Sequence, residues 1–451
     1  MDAPRITIEL GDGGLQRALG TPAATAFVIG NMVGAGIWTV PALVHVSTGN
    51  PSVSLLIWLG GGLLALCGAL SYAELGARLP LAGGDYQYLS RCWGPMTGFI
   101  GGWITLLAGF SASIASVSLV CVSYAHAVFG YSPTPVALRF WAILLMAGLT
   151  VYHAAGIRAS GGLQTALSVG ALGTILLLLV AGFSGGNGDW RWLSVTSKPT
   201  GHFGTALIEA SFAYSGWNAA AYLAGETRDA PRTLPRALIG GTILVTAAYF
   251  GLNVLFFYAV PPGQWTAETA VGTVAAMQLF GKSGASVISL IIAFIIIGAT
   301  SAMIAAGPRI LFAMARDGVA PHVLAGLGTH THAPARALYV QGGAAILLAL
   351  SGAFDTLITY IGAALSILSA VAVAGLFILR KRPGGHDRSG FRVPGFPVIP
   401  AIYIGGVGLS LFWSLGERPY PTVAAIASIA LAASCYVLFS VMGWMRVRRA
   451  V

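Results

Sequence analysis

Charge is what this 451-residue chain has least of. Only 8% of its residues are Asp, Glu, Lys or Arg, against about 25% in ordinary soluble domains. A surface so poor in charge must meet lipid or other apolar helices, which excludes a water-soluble globular fold. Cysteine is scarce as well. Cys67, Cys92, Cys121 and Cys435 are scattered and form no CxxC pair. That spacing argues against a disulfide framework or a zinc site and leaves the thiols as apolar packing. Long polar stretches are also missing: no loop exceeds about 25 residues, so a soluble output domain has no room. A membrane-embedded transferase would need catalytic His, Asp or Glu clustered at one membrane face, and no such cluster is found. His330 and His332 in GTHTHAP are two histidines without a third ligand, a weak metal signal.

Apolar residues are what the chain has in excess. They make up 56% of the sequence, and the mean hydropathy is +0.80. Apolar runs long enough to cross a bilayer recur about twelve times. Their limits are 22–46, 52–76, 95–128, 135–155, 161–183, 203–225, 236–260, 284–314, 335–353, 355–379, 396–414 and 421–443. The net charge of +10 would suit a polyanionic partner, but its placement argues otherwise. With the loops numbered alternately from a cytoplasmic N-terminus, nineteen of the 24 Lys and Arg residues fall on the inside. The positive-inside rule accounts for this asymmetry without nucleic acid and places both termini in the cytoplasm. A multi-pass protein of the plasma (inner) membrane is expected. The first twenty residues are polar and mixed in charge, which reads as a cytoplasmic segment rather than a leader.

Two of the spans carry interruptions. GNMVGAGIWTVP (30–41) puts Gly34-Ala35-Gly36 in the middle of span one, and FAYSGWNAAAYLAGE (212–226) puts Ser215, Gly216 and Asn218 inside span six. Glycine is a poor helix residue. Interrupted spans at corresponding places in two halves point to a transporter site. Each opens a set of five spans, at 21–183 and at 203–380, and an odd number makes the repeat inverted. Outside the repeat lie residues 1–20, a basic loop at 381–395, two further helices at 396–443 and a tail at 444–451. The loop is expected to be plain linker, although its charge also suits anionic headgroups. An unwound turn frees backbone amides and carbonyls, and a zwitterionic amino acid satisfies both kinds. The competing reading of Gly30-x-x-x-Gly34 is a small-residue helix contact.

GNMVGAGIWTVPA (30–42), SYAELGARLPLAGGDYQYLSRCWGP (71–95), FAYSGWNAAAYLAGETRDAPRTLPRAL (212–238), GPRILFAMARDGVAP (307–321) and FRVPGFPVIPA (391–401) together resemble the amino acid–polyamine–organocation superfamily. The FAYSGWN form is nearest its L-type amino acid transporter branch. The resemblance implies an all-α membrane protein of about 12 helices: a LeuT-type 5+5 inverted repeat, helices 1 and 6 unwound, and two C-terminal helices. It implies alternating access for an α-amino acid. The amides of Gly34, Ala35 and Gly36 would hold the carboxylate, and the carbonyls of Met32, Phe212 and Ser215 the ammonium. Phe212 would also be the gate, and Ser113 a side-chain contact. Three features depart from relatives. Ala35 replaces a hydroxyl found in many of them. Ala171 stands where several carry a coupling lysine. The loop VFGYSPTPVAL (128–138) lacks the cysteine through which animal L-type chains hold a heavy chain. No disulfide-linked heavy chain is expected, and the source reads as prokaryotic.

Further residues complete the reading. Glu209 lies inside span six and is a candidate for coupling or selectivity, alongside position Ala171. Thr300 and Ser301 on span eight are candidate ligands for a sodium ion, although such hydroxyls more often bond their own helix; no other cofactor is expected. Glu74, Asp85, Glu226, Asp229 and Asp317 lie beside Arg78, Arg91, Arg228, Arg232 and Arg316 and are expected to form ion pairs. The nameable pocket walls, Met32, Val33, Ala35, Phe212 and Ala213, are apolar or small. The expected function is therefore secondary transport, by exchange or symport, of neutral L-amino acids, with no enzymatic activity. A cationic amino acid or polyamine carrier and a non-transporting amino acid sensor are the alternatives.

Overall fold

The computed structural model describes residues 12–128, 134–185, 188–194, 201–266, 270–351, 354–382, 390–417 and 419–442. Residues 129–133 of the 128–138 loop, much of the basic loop and the tail at 444–451 lie outside them. Among the described residues the chain is helical, with one isolated bridge between Leu19 and Thr227.

The helices follow the apolar runs. They are α1 (Thr21–Met32), α2 (Gly36–Thr48), α3 (Pro51–Arg78), α4 (Asp85–Trp93) and α5 (Pro95–Ile104). A π-helical turn, Thr105–Ala112, leads into α6 (Ser113–Ala127). Then come α7 (Pro135–Ala154), α8 (Ile157–Gly185), α9 (Phe203–Ala213), α10 (Ala219–Tyr222), α11 (Ala230–Ala259), α12 (Val271–Ala306) and α13 (Pro308–Arg316). The last four are α14 (Ala335–Ser351), α15 (Phe354–Lys381), α16 (Val398–Glu417) and α17 (Pro419–Val441). Local chemistry sets several starts. The Asn50 side chain accepts from the Val53 amide at 3.2 Å and Pro51 opens α3, while Thr134 caps α7 in the same way at 3.3 Å.

Among the described residues nine helical stretches are long and apolar enough to cross a membrane, and the α1–α2 pair, bent by 45°, makes up to ten. The shorter apolar helices α9 and α14 stand where spans six and nine are expected. Two features differ from the sequence reading. The stretch 85–93, between the expected spans two and three, is helix α4. Span eight begins early: α12 starts at Val271 and bends at Gly281, where φ is 71°. Gly281 and Lys282 interrupt the apolar run, so hydropathy alone begins it too late.

Large apolar side chains such as Leu176, Leu177, Phe412 and Leu431 face outward, as a lipid-facing belt requires. One end of the bundle, the basic end, gathers the Leu19–Thr227 bridge and the ion pairs of Glu74 and Glu226. The other end carries Asn50 and the stacked rings of Phe257 and Trp265.

Candidate substrate site

The two interruptions are real breaks, and they touch. After Met32 the helix breaks, with the Gly34 amide donating to the Met32 carbonyl at 2.9 Å; helix resumes at Gly36. In the second break the Ser215 amide donates to the Phe212 carbonyl at 3.0 Å, and Gly216 takes φ 95°. That conformation favours glycine. Space demands it as well: a Cβ on Gly216 would stand 2.7 Å from the Asn31 carbonyl oxygen. Gly36 packs against Ala213 just as closely, its Cβ position 2.9 Å from the Ala213 Cα. The ends of α1 and α9 are also joined through α11. The Tyr249 hydroxyl donates to the Met32 carbonyl and lies 3.3 Å from that of Ala213. Carbonyls freed inside a membrane cost several kcal/mol if left alone, and Tyr249 relieves that cost.

This geometry separates the expected contacts. The Gly34 amide and the carbonyls of Met32 and Phe212 already have partners inside the protein. The Ala35 carbonyl receives the Trp38 amide and the Thr39 hydroxyl, both at 3.1 Å. Ser215 and Ser113 line a cleft beside the breaks with about 890 Å³ of empty space, part of it open to solvent. Met32, Gly34, Ala35, Gly36, Phe212 and Ala213 do not line it; they belong to the contact between the two broken helices. Phe212 is half-buried, with its Cβ against Gly362 of α15.

Sequence reasoning missed several cleft residues. Asn31, Thr105 and Ser211 line it, yet their sequence neighbourhoods carry no signal beyond polarity inside an apolar run. Thr105 opens the π-helical turn, a local widening that often marks functional sites; its buried hydroxyl has no hydrogen-bond partner.

Asp85 is the carboxylate of the cleft. It was expected to pair with arginine, and the structure corrects this. Tyr72 donates to Oδ1 at 2.7 Å, Tyr222 donates to Oδ2 at 2.7 Å, and the Asn218 amide lies 3.3 Å from Oδ1. Burial pushes the Asp85 carboxyl above its ordinary range, and those three hydrogen bonds pull the other way. The other acids do find arginines. Glu74 meets Arg78 at 2.8 Å and Arg380, and it also accepts the Val393 amide at 2.8 Å. Glu226 is held by Arg309, not Arg228, through contacts of 2.7 and 2.9 Å, fully buried. Asp229 pairs with Arg232 at 3.5 Å; Asp317 contacts Arg316 at 3.4 Å and the Tyr86 hydroxyl at 2.9 Å.

The remaining candidates sit away from the cleft. Glu209 receives the Ser47 hydroxyl at 3.1 Å, which ties α9 to α2. Ala171 is buried among apolar side chains. Thr300 donates to the Ile296 carbonyl at 3.0 Å, and Ser301 lies 2.9 Å from His153 Nε2, whose Nδ1 lies 2.8 Å from Ser160. Both hydroxyls thus have partners within the protein.

Comparison with known proteins bears on what such a site carries. Residues 19–445 match the family described as amino acid permease. The chain is 31% identical over 403 residues to the serine/threonine exchanger SteT of Bacillus subtilis, covering 88% of this chain and 90% of that protein. It is 30% identical over 412 residues to the mouse Asc-type amino acid transporter 1, covering 89% and 76%. It is 30% identical over 390 residues to the human large neutral amino acids transporter small subunit 2, covering 83% and 73%. Broken helices that meet beside a polar cleft, in a chain that matches along nearly its whole length, place it among transporters rather than enzymes: it belongs to the amino acid permease family.

Proposed function

We propose that the protein exchanges small neutral amino acids, serine and threonine foremost, across the plasma membrane by alternating access. The observation that carries this reading is the contact of the two helix breaks, Gly216 on Asn31, beside a cleft with Ser113, Ser211 and Ser215 on its walls. The first turn of α2 has amides without intrahelical partners, and once α2 and α9 part, the amides of Ala35 and Gly36 become free to hold the substrate carboxylate. The Ser215 carbonyl and the Ser113 hydroxyl take the ammonium. Phe212 swings over the bound substrate as the gate.

The 5+5 repeat runs from α1 to α8 and from α9 to α15. The positive-inside rule sets the basic end in the cytoplasm. The outer halves α2 and α9 are packed together here by Gly36 on Ala213 and by Ser47 on Glu209, so the outer entrance is closed. Exchange requires these two helices to part and the basic end to close in turn.

The test is uptake of labelled L-serine into proteoliposomes, with and without unlabelled serine inside, in sodium and in choline buffers. Uptake confined to preloaded vesicles and indifferent to sodium is expected, with threonine competing and arginine not. Uptake into empty vesicles that collapses in choline would replace exchange by sodium symport. Serine binding without any uptake would replace transport by sensing.

A further inference from the structure

Three carboxylates are buried near the basic end, and they are treated differently. Glu74 and Glu226 are each neutralised by arginine. Asp85 is only 2% exposed, yet no lysine, arginine or histidine pairs with it among the described residues. A buried carboxylate without a counter-charge is costly. Its partners are neutral donors, two phenols and an amide. An ionised carboxylate offers about four acceptor positions, and on Oδ2 the Tyr222 hydroxyl sits at 2.7 Å while the Asn218 nitrogen, shared with Oδ1, stands off at 3.5 Å. Room is left there for one more donor. Of the three acids, Asp85 is the one that lines the cleft, and the cleft continues to Ser215 and Gly216 of the second break.

Two further observations point to a ligand with hydrogens to donate and a positive charge. The Thr105 hydroxyl lines the same cleft, is 1% exposed and has no partner. The walls are aromatic: Trp217 packs edge-on against Tyr72 at 4.8 Å and against Tyr403 at 5.8 Å, and Tyr222, Trp217 and Tyr403 all face the cleft. Ring faces favour an organic cation, which a phenol cage accommodates better than an anion.

We propose that Asp85 is a cation subsite of the cleft, which takes the primary ammonium group of an amino acid or small amine between the helix breaks and the basic end, with the Thr105 hydroxyl as its neutral second contact. As a station on the route of the cargo, the subsite rests on the transport reading above. As an amine site, it stands by itself.

The experiment is titration calorimetry of the purified full chain in potassium buffer. The probes are ethanolamine, which is serine without its carboxylate, and glycolate, which lacks the amine. Ethanolamine binding is expected and glycolate binding is not. Asp85→Asn weakens ethanolamine by about tenfold or more, as expected for losing a buried charge partner. L-serine, held also by the breaks, loses less. Thr105→Val weakens ethanolamine by about threefold, the size of one neutral hydrogen bond. If Asp85→Asn does not elute as a single species, Thr105→Val decides alone.

No ethanolamine binding by the native chain overturns the proposal. So does equal binding by the substituted chains, or displacement of ethanolamine by sodium at matched concentration. Ethanolamine binding in a chain that moves no serine would sink the transport reading and keep the subsite. Serine exchange without ethanolamine binding would do the reverse.

Discussion

At the scale of single residues, Gly216 carries the strictest demand. Its φ of 95° costs a non-glycine residue about 1–2 kcal/mol, and any Cβ there would stand only 2.7 Å from the Asn31 carbonyl oxygen. Gly216→Ala is therefore expected to lower stability by about 1–3 kcal/mol and to abolish serine binding, read from thermal unfolding and calorimetry in detergent. An unchanged midpoint with unchanged affinity would mean that the breaks do not depend on this contact. The glycine was legible in the sequence, because a mid-span Ser-Gly in an apolar run is unusual. The partner was not. Asn31 lies far from it in the chain, and only the fold brings them together. Asp85 teaches the same lesson. Its charge was visible, but Arg91 nearby in the chain suggested the wrong partner, whereas the real ones, Tyr72 and Tyr222, are 13 and 137 residues away.

Elements were legible where hydropathy is continuous. The spans at 52–76, 135–155 and 161–183 match α3, α7 and α8 closely. Hydropathy failed where a helix is polar, as α4 is, or where glycine and lysine interrupt it, as at 281–282. The π-helical turn Thr105–Ala112 has no sequence signature at all. One element boundary rests on a distant side chain. The Glu417 carboxylate at the end of α16 accepts the Thr205 amide at 2.9 Å and the Gly204 amide at 3.3 Å, and so caps α9 from outside. Charge at a helix start and the cap bond together are worth about 0.5–2 kcal/mol. Glu417→Gln is expected to speed hydrogen exchange at Gly204 and Thr205 about threefold or more, following that loss. Unaltered exchange there would show that α9 is held by packing alone.

At the scale of the whole molecule, closure of the outer half is the feature with the clearest test. Ser47 on α2 and Glu209 on α9 meet at 3.1 Å. Cysteines at both positions, in a chain freed of its own, are expected to be joined by a short bifunctional thiol reagent. Serine exchange should then fall to background and return when the link is cleaved. Full exchange by the linked protein would mean that α2 and α9 do not part during the cycle. The overall architecture follows from the sequence through hydropathy and charge placement, which are averages over many residues and survive local errors. The cleft depends on which hydroxyl meets which carbonyl, and no average carries that. The Tyr249 hydroxyl holds one hydrogen and stands between two carbonyls, those of Met32 and Ala213. It cannot serve both fully. Whenever it turns toward Ala213, the Met32 carbonyl is left with the Gly34 amide alone. One phenol hydrogen thus couples the ends of the two broken helices, and a change at either carbonyl is felt at the other.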